Sequence, residues 1–351
     1  MSSPTVFERF AAPLGGAFRE GPDLDPALVP FLGFMQRCHG RALQHVRKFG
    51  QHPDTPLESG LVWQGDFGAK AGSIDGVNCV GINLGVPHIL LNFFRAILGH
   101  RKVLPHLGVS GREANAPYQL ERKADLQTTL RVNAPRDPGR ARYALELCYC
   151  AFHFIFLHEF AHLFHGHVDW RERNRGALPI QLQSLEFDAD AFAGTDLLRA
   201  VLGAKNDPVS RRHALFTAVF AVYCLFRIHS NKLLDDDSFC RAGHPPMIFR
   251  QRSFLGGLME MVYEEKLISM PDLGKIIVQA MVEAEEAYSL LTGRQPLDAP
   301  QMAEGFERGH ELLDRVLAMW EKLMPELELL KQGGELTPAN WNERNTPFVP
   351  R

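Results

Sequence analysis

The sequence predicts an α+β fold that is predominantly helical, and three observations lead to this prediction. Apolar residues recur at helical spacing in residues 26–49 and through most of the chain after residue 137. Between residues 61 and 84, short apolar runs are separated by glycines and by Asp75-Gly76, which indicates a small antiparallel sheet near the N-terminal side. Hydrophobic residues make up 45% of the 351 residues and charged residues 23%, which is typical of a globular protein.

Charge, cysteine usage and the lengths of the apolar runs restrict the compartment and the function. The formal net charge of -3 gives no electrostatic support for nucleic-acid binding as the main task. The first residues lack the pattern of a secretory signal and the six cysteines form no C-x-x-C pair, so we expect reduced thiols and a cytoplasmic protein. The most apolar runs, residues 147–157 and 214–228, are shorter than the ~20 residues of a spanning helix, which predicts no membrane-spanning segment.

A metal-binding motif, His158-Glu159-Phe160-Ala161-His162, lies in the most apolar predicted helix, which extends from residue 137 to about residue 165. Residues four apart share one face of a helix, so both imidazoles can bind one zinc ion. Glu159 can then act as the general base for a water molecule on that metal. Ordinary buried polar residues are the alternative, but two histidines and a glutamate within an apolar helix require partners, which favours a metal site.

The third zinc ligand is predicted to be Glu186, on a second helix expected over residues 180–202. Glu186 and Asp190 share one face of this helix, and small alanines beside them allow another helix to pack closely. Asp190 can then accept a hydrogen bond from a ligand imidazole. Three histidines remain alternatives to Glu186 as the third ligand: His165, His167 and His244. The first two lie near a helix end, where solvent-facing or capping histidines are more typical.

The combination of the histidine motif with Glu186-x-x-Ala-Asp190 resembles the gluzincin metallopeptidases and implies a zincin-like core. His244-Pro245-Pro246, with Arg250 six residues after the histidine, is similar to an element of the CAAX-prenyl-protease-type gluzincins. The resemblance implies that His244 hydrogen-bonds the oxyanion of the tetrahedral intermediate and that Arg250 orients Asp190 or the loop. Because spanning helices are not expected here, the soluble ImmA/IrrE-type and phage-exclusion Lit-type peptidases are closer in kind, and the Lit-type group is the nearer of the two.

We expect one domain with four regions along the chain. Residues 1–135 carry a helix and the small sheet, and residues 136–255 form the zinc-binding catalytic core. Residues 256–331 form a C-terminal helical region, and residues 332–351 form a mobile, polar tail. Within the first region, residues 80–84 could form an edge strand that binds an extended substrate, although an ordinary core strand fits the same residues.

These expectations predict a zinc-dependent endopeptidase that hydrolyses peptide bonds of a specific intracellular protein. Its expected partners are a protein or peptide substrate and, if the activity is conditional, an activator protein. Two alternatives stay open. The first is a metal-stabilised regulatory or binding protein with a degenerate peptidase fold, in which replacing Glu159 changes no function. The second is a membrane-associated metallopeptidase whose apolar helices lie at the bilayer surface.

Overall fold

The structure, a computed structural model, confirms a predominantly helical α+β fold with a small sheet near the N-terminal side. It describes residues 3–19, 25–114, 118–120, 123–124, 130, 132–203, 207–229, 245–297 and 299–338. The chain divides into two compact units. The first unit draws on residues 1–168 and 331–334, and the second on residues 169–330 and 335–351.

The first unit contains the sheet and the helices that pack on it. Its helices are α1 (Val6–Ala11), α2 (Val29–Phe49), α3 (Gly85–Leu98) and α4 (Pro138–Phe164). Its strands are β1 (Leu57–Val62), β2 (Ala69–Ile74) and β3 (Val77–Asn83). The predicted helix at residues 26–49 and the predicted strands between residues 61 and 84 are therefore present, with β1 beginning ahead of the predicted segment.

The sheet is mixed rather than antiparallel. β2 and β3 form the predicted hairpin, and its turn residues Asp75 and Gly76 have φ angles of 52° and 75°, as a two-residue hairpin turn requires. β1 pairs with β3 in parallel, so β3 is central in the order β1-β3-β2. The spacing of apolar residues does not distinguish a parallel neighbour from an antiparallel one, which explains the difference. The edge position considered for residues 80–84 is therefore wrong, and β2 forms an edge of the sheet.

Helix α4 is buried on nearly every side. Asp137 caps it by accepting a hydrogen bond from the N–H of Arg140 at 3.0 Å, and Gly166, with a φ of 76°, follows its last turn. Among the described residues, α4 is the helix that is long and apolar enough to cross a membrane, by length and composition. However, 83% of its most apolar stretch is buried inside the protein, as in the core helix of a soluble protein.

The second unit consists of helices packed around a hydrophobic core. They are α5 (His167–Arg173, which begins at the end of the first unit), α6 (Pro179–Leu202), α7 (Pro208–His229), α8 (Met247–Glu264), α9 (Met270–Thr292) and α10 (Ala299–Glu328). The charged residues 171–175 suggest a solvated loop from sequence, but residues 171–173 are helical. Trp170 explains the difference, because its ring is buried in the core and its indole N–H donates to Glu326 Oε2 at 2.7 Å.

Helices α6 and α8 approach each other closely because glycines lie at their contact. A Cβ atom on Gly194 would overlap the carbonyl oxygen of Phe254, and one on Gly257 would overlap that of Ala191. The hydroxyl of Thr195 on α6 donates to the carbonyl of Gly257 at 3.0 Å. This close packing brings side chains of α8 within reach of the acidic residues of α6.

The beginning of the predicted mobile tail is packed in place. The N–H of Gln332 donates to the carbonyl of Phe164, the last residue of α4, at 2.8 Å. The indole N–H of Trp320 donates to the carbonyl of Thr337 at 2.7 Å. Residues 339–351 lie outside the described residues. The mobility of that part, like the division into the regions 136–255 and 256–331, stays a prediction.

Candidate metal centre

Two buried histidines of α4 face each other near its C-terminal end. His158 and His162 are each 6% exposed, and their rings meet edge to face with centroids 4.7 Å apart. Their Nε2 atoms lie 3.2 Å from one another. Residues four apart lie one turn apart on the same face of a helix, so the spacing in the sequence brings these two nitrogens together.

The separation of the two nitrogens fits a shared metal ion. Imidazole nitrogens bound at ~2.0–2.1 Å to a tetrahedral zinc ion are about 3.3 Å apart, close to the distance observed between His158 and His162. A neutral imidazole has one nitrogen that accepts and one that donates. A cation between two facing Nε2 atoms satisfies both lone pairs, whereas without a cation one of these nitrogens must carry a proton toward the other.

A third histidine lies behind His162. The Nδ1 atom of His162 is 2.9 Å from the Nδ1 atom of His167, which is fully buried, so the ring of His162 turns its Nε2 atom toward His158. His165 is also buried, with 1% of its surface exposed. The solvent-facing alternative for His165 and His167 is therefore wrong, whereas His165 does lie at the C-cap of α4. After the left-handed turn at Gly166, the ring of His167 lies against that of His162, and Gly334 lies against the ring of His165.

Glu159 differs from the neighbouring histidines because it is only half-buried. It follows His158 directly and so lies about 100° around the helix from it. A general base must exchange protons with water and with substrate, and this position combines access with closeness to the imidazole pair.

The second unit holds the predicted acidic residues on α6. Glu186 is 4% exposed and Asp190 is fully buried. Arg250 of α8 binds Asp190 through two hydrogen bonds, from Nε to Oδ2 at 2.8 Å and from Nη2 to Oδ1 at 2.7 Å. The same Nη2 atom lies 3.9 Å from Oε2 of Glu186. One guanidinium therefore fixes the orientation of Asp190 and places positive charge beside Glu186.

Sequence reasoning missed Asp188, which lies between these two acids on α6. Its carboxylate is fully buried, and its Oδ1 atom accepts a hydrogen bond from the backbone N–H of Thr337 at 2.8 Å. No local pattern pairs residues so far apart in the chain. The only available signal was a further acid flanked by Phe187 and Ala189, because a carboxylate beside apolar residues requires a partner when it is buried.

Buried histidine, glutamate and aspartate groups in the described part of the chain could hold a metal ion. The histidines of these groups belong to the first unit: His158, His162, His165 and His167. The second unit carries the buried carboxylates of Glu186 and Asp188. His244 lies outside the described residues, so its predicted role stays a prediction.

One family of known proteins matches the region that carries these residues. Residues 120–265 match the family Peptidase U49. No curated protein and no solved structure gives a match. The Peptidase U49 region covers less than half of the chain, and it includes helices α4 to α8.

The Peptidase U49 match supports peptidase activity for this protein. The matched region contains every residue predicted as a zinc ligand, general base or supporting group, and it also contains Asp188. Helix α2, the sheet and Thr337 lie outside it. The match and the facing histidines therefore lie in the same part of the chain.

Proposed function

We propose that this protein is a zinc-dependent endopeptidase that cleaves a specific protein in the cytoplasm. The Peptidase U49 match supports peptidase activity. The Nε2 atoms of His158 and His162, 3.2 Å apart, support a zinc ion and are the observation that carries the proposal. The cytoplasmic location is supported by the five described cysteines, which are buried free thiols.

We propose Glu186 as the third zinc ligand. A buried carboxylate is stable as an anion only beside positive charge, and zinc together with Arg250 would provide it. The two buried histidines, His165 and His167, and the undescribed His244 are the alternatives. Zinc content after substitution at each position distinguishes them.

Glu159 is the proposed general base. Bound zinc would supply a Lewis acid that polarises the peptide carbonyl and lowers the pKa of water toward ~7. Glu159 takes a proton from the attacking water and later gives it to the amine nitrogen that leaves. Its half-buried position leaves the carboxylate open to both water and substrate.

Three further residues are proposed to support the reaction without binding the metal. Asp190, with both oxygens held by Arg250, has the fixed orientation that suits a carboxylate accepting a hydrogen bond from a ligand imidazole. His244 is proposed to hydrogen-bond the developing oxyanion. An activator protein, if one exists, would act by completing or exposing this arrangement.

Replacing Glu159 with glutamine tests the proposal, because it removes the base and keeps the shape of the side chain. Wild type, Glu159→Gln and His158→Ala are compared for zinc content and for new protein N-termini in a cell extract. We expect Glu159→Gln to keep its zinc and to lose cleavage by at least about a hundredfold, the contribution of a general base. His158→Ala is expected to lose both zinc and cleavage.

Cleavage that is unchanged in Glu159→Gln contradicts the proposed mechanism. A metal-stabilised binding protein becomes the better description if wild type binds zinc but cleaves nothing, and if Glu159→Gln keeps every other function of wild type. Cleavage that appears only when lipid vesicles are added would instead identify a membrane-associated peptidase.

A further inference from the structure

Helix α2 presents a basic outer face. Its 21 residues include four basic side chains and no aspartate or glutamate, although the chain as a whole has a net charge of -3. All four are exposed: Arg37, Arg41, Arg47 and Lys48. Arg37, Arg41 and Lys48 follow at i, i+4 and i+11, a spacing that places them in one stripe along the helix. We call these three residues the basic stripe.

The cations of α2 are not neutralised by the rest of the described chain. None of the ion pairs among the described residues involves Arg37, Arg41, Arg47 or Lys48. The guanidinium of Arg37 lies over the ring of Phe34, and the ammonium of Lys48 lies over the ring of Phe49. These contacts leave the charges in place. The face is therefore positive and available to an anionic partner.

Gly40 lies in the middle of α2, between Arg37 and Arg41 in the sequence. Glycine destabilises a helix interior relative to alanine, so its presence here needs a reason. Packing within the described chain does not provide one, because a Cβ atom on Gly40 would meet no atom within 4 Å. A glycine beside the basic stripe leaves room for another backbone to approach the helix closely.

We infer that the basic stripe binds an extended acidic segment of the protein substrate. From Arg37 to Lys48 the stripe is about 16 Å long, which is the span of about five residues of extended chain. Arg37 and Arg41 are about 6 Å apart along the helix axis, and alternate side chains of an extended strand are about 6–7 Å apart. Carboxylates at alternate positions of such a segment therefore match the spacing of the cations.

Helix α2 packs directly on the helix that carries the histidine motif. The ring of Phe31 is 5.7 Å from that of Phe152, and the ring of His45 is 5.0 Å from that of Phe164. α2 thus packs along α4 as far as its C-terminal end, where the proposed metal ligands lie. The buried side of α2 faces α4, and the basic stripe faces outward. A segment bound there keeps the substrate near the metal centre without occupying it. The identity of the bound segment as part of a substrate rests on the proposed function, but the binding of an acidic segment does not.

Peptide binding to the purified full-length protein tests the inference. The probe is a fluorescein-labelled peptide with glutamate at every second position, and its control carries glutamine at those positions. We expect the acidic peptide to bind wild type, the glutamine peptide not to bind, and the affinity to fall as salt is raised. The double variant Arg37→Glu, Arg41→Glu is expected to bind at least roughly tenfold more weakly, because two attractive contacts become repulsive.

The matched control is the double variant Arg315→Glu, Lys322→Glu. Both residues are exposed on α10, so the net charge changes by the same amount on a different helix. We expect this control to bind like wild type. Gly40→Ala provides a second variant that keeps the charge. It should raise the melting temperature by about 2 °C and weaken peptide binding, because the helix gains stability and loses room.

The inference is overturned if wild type and the Arg37→Glu, Arg41→Glu variant bind the acidic peptide with equal affinity. It is also overturned if the α10 control loses as much affinity as the Arg37→Glu, Arg41→Glu variant. Binding of anionic vesicles or duplex DNA to the stripe, in place of the acidic peptide, overturns it as well and identifies the other polyanion as the partner. The assay needs no turnover. A protein that binds the peptide but never cleaves it contradicts the proposed function alone.

Discussion

Two buried helices, α4 and α7, differ in the partners of their buried polar side chains. In α7, Arg227 pairs with Glu285 of α9, with Nε 2.9 Å from Oε2, and the hydroxyl of Tyr223 donates to the same carboxylate at 2.8 Å. Near the C-terminal end of α4, two like groups face each other instead: the Nε2 atoms of His158 and His162 are 3.2 Å apart.

The difference separates a structural polar network from a ligand site. The network around Glu285 supplies its own counter-charge, because the guanidinium of Arg227 and hydroxyl donors surround one carboxylate. The imidazole pair of α4 brings two similar nitrogens close together, an arrangement in which both could bind one external cation. The first arrangement should matter for stability, and the second for metal binding.

The largest expected effect on stability comes from the α7 network. Glu285→Gln keeps the shape of the side chain but leaves Arg227 as a buried charge without a counter-ion. We expect the free energy of unfolding to fall by about 3 kcal/mol. Urea unfolding followed by circular dichroism measures it. A loss below about 1 kcal/mol would mean that this network is not the structural one.

A smaller effect is expected at the contact between α6 and α8. Arg250→Lys keeps the charge, but an ammonium cannot form the two parallel hydrogen bonds that the guanidinium makes to Asp190. We expect a loss of about 2 kcal/mol in urea unfolding. Arg199→Lys is the matched control, because Arg199 pairs with Asp196 at the surface, where ion pairs contribute little. Equal losses in the two variants would contradict this account.

In the metal-free protein, the α4 pair should contribute little to stability. His158→Leu replaces a polar ring by an apolar side chain of related size, and we expect the free energy of unfolding to change by at most about 1 kcal/mol in the presence of a chelator. Added zinc should then raise the melting temperature of wild type and leave that of the variant unchanged. Equal stabilisation of both proteins by zinc would place the ion elsewhere.

The smallest effect is a dependence on pH at the start of α4. The hydrogen bond from the N–H of Arg140 holds the pKa of Asp137 below its ordinary value. A carboxyl group with a lowered pKa stabilises the folded protein above its ordinary pKa of about 3.9, and this contribution is lost as pH falls through the folded value. Asp137→Asn still caps the helix but does not titrate. The melting temperature of wild type should exceed that of the variant at neutral pH, and the difference should shrink below about pH 4.

The sequence predicts α4 and its histidine pair because their signals are local. Asp137-Pro138, Gly166 and the four-residue spacing of His158 and His162 each act within a few positions of the chain. Local rules for caps and helix faces therefore apply to them directly.

Features that depend on distant contacts could not be predicted in the same way. The parallel pairing of β1 with β3 depends on which strands become neighbours in the sheet, and the spacing of apolar residues does not specify this. The contact of Asp188 with Thr337 joins residues 149 positions apart. The burial of His165 and His167 requires the turn at Gly166 to fold back on α4, whereas the pattern alone suggests a solvent-facing helix end.

The zinc content of purified protein, after incubation with zinc and desalting, tests the central claim most directly. Wild type, His162→Ala and Glu186→Ala are compared by elemental analysis. The account predicts about one zinc ion per chain in wild type and far less in both variants. If Glu186→Ala retains its zinc, the third zinc ligand would instead be His165, His167 or His244. The absence of bound zinc from wild type would contradict the account.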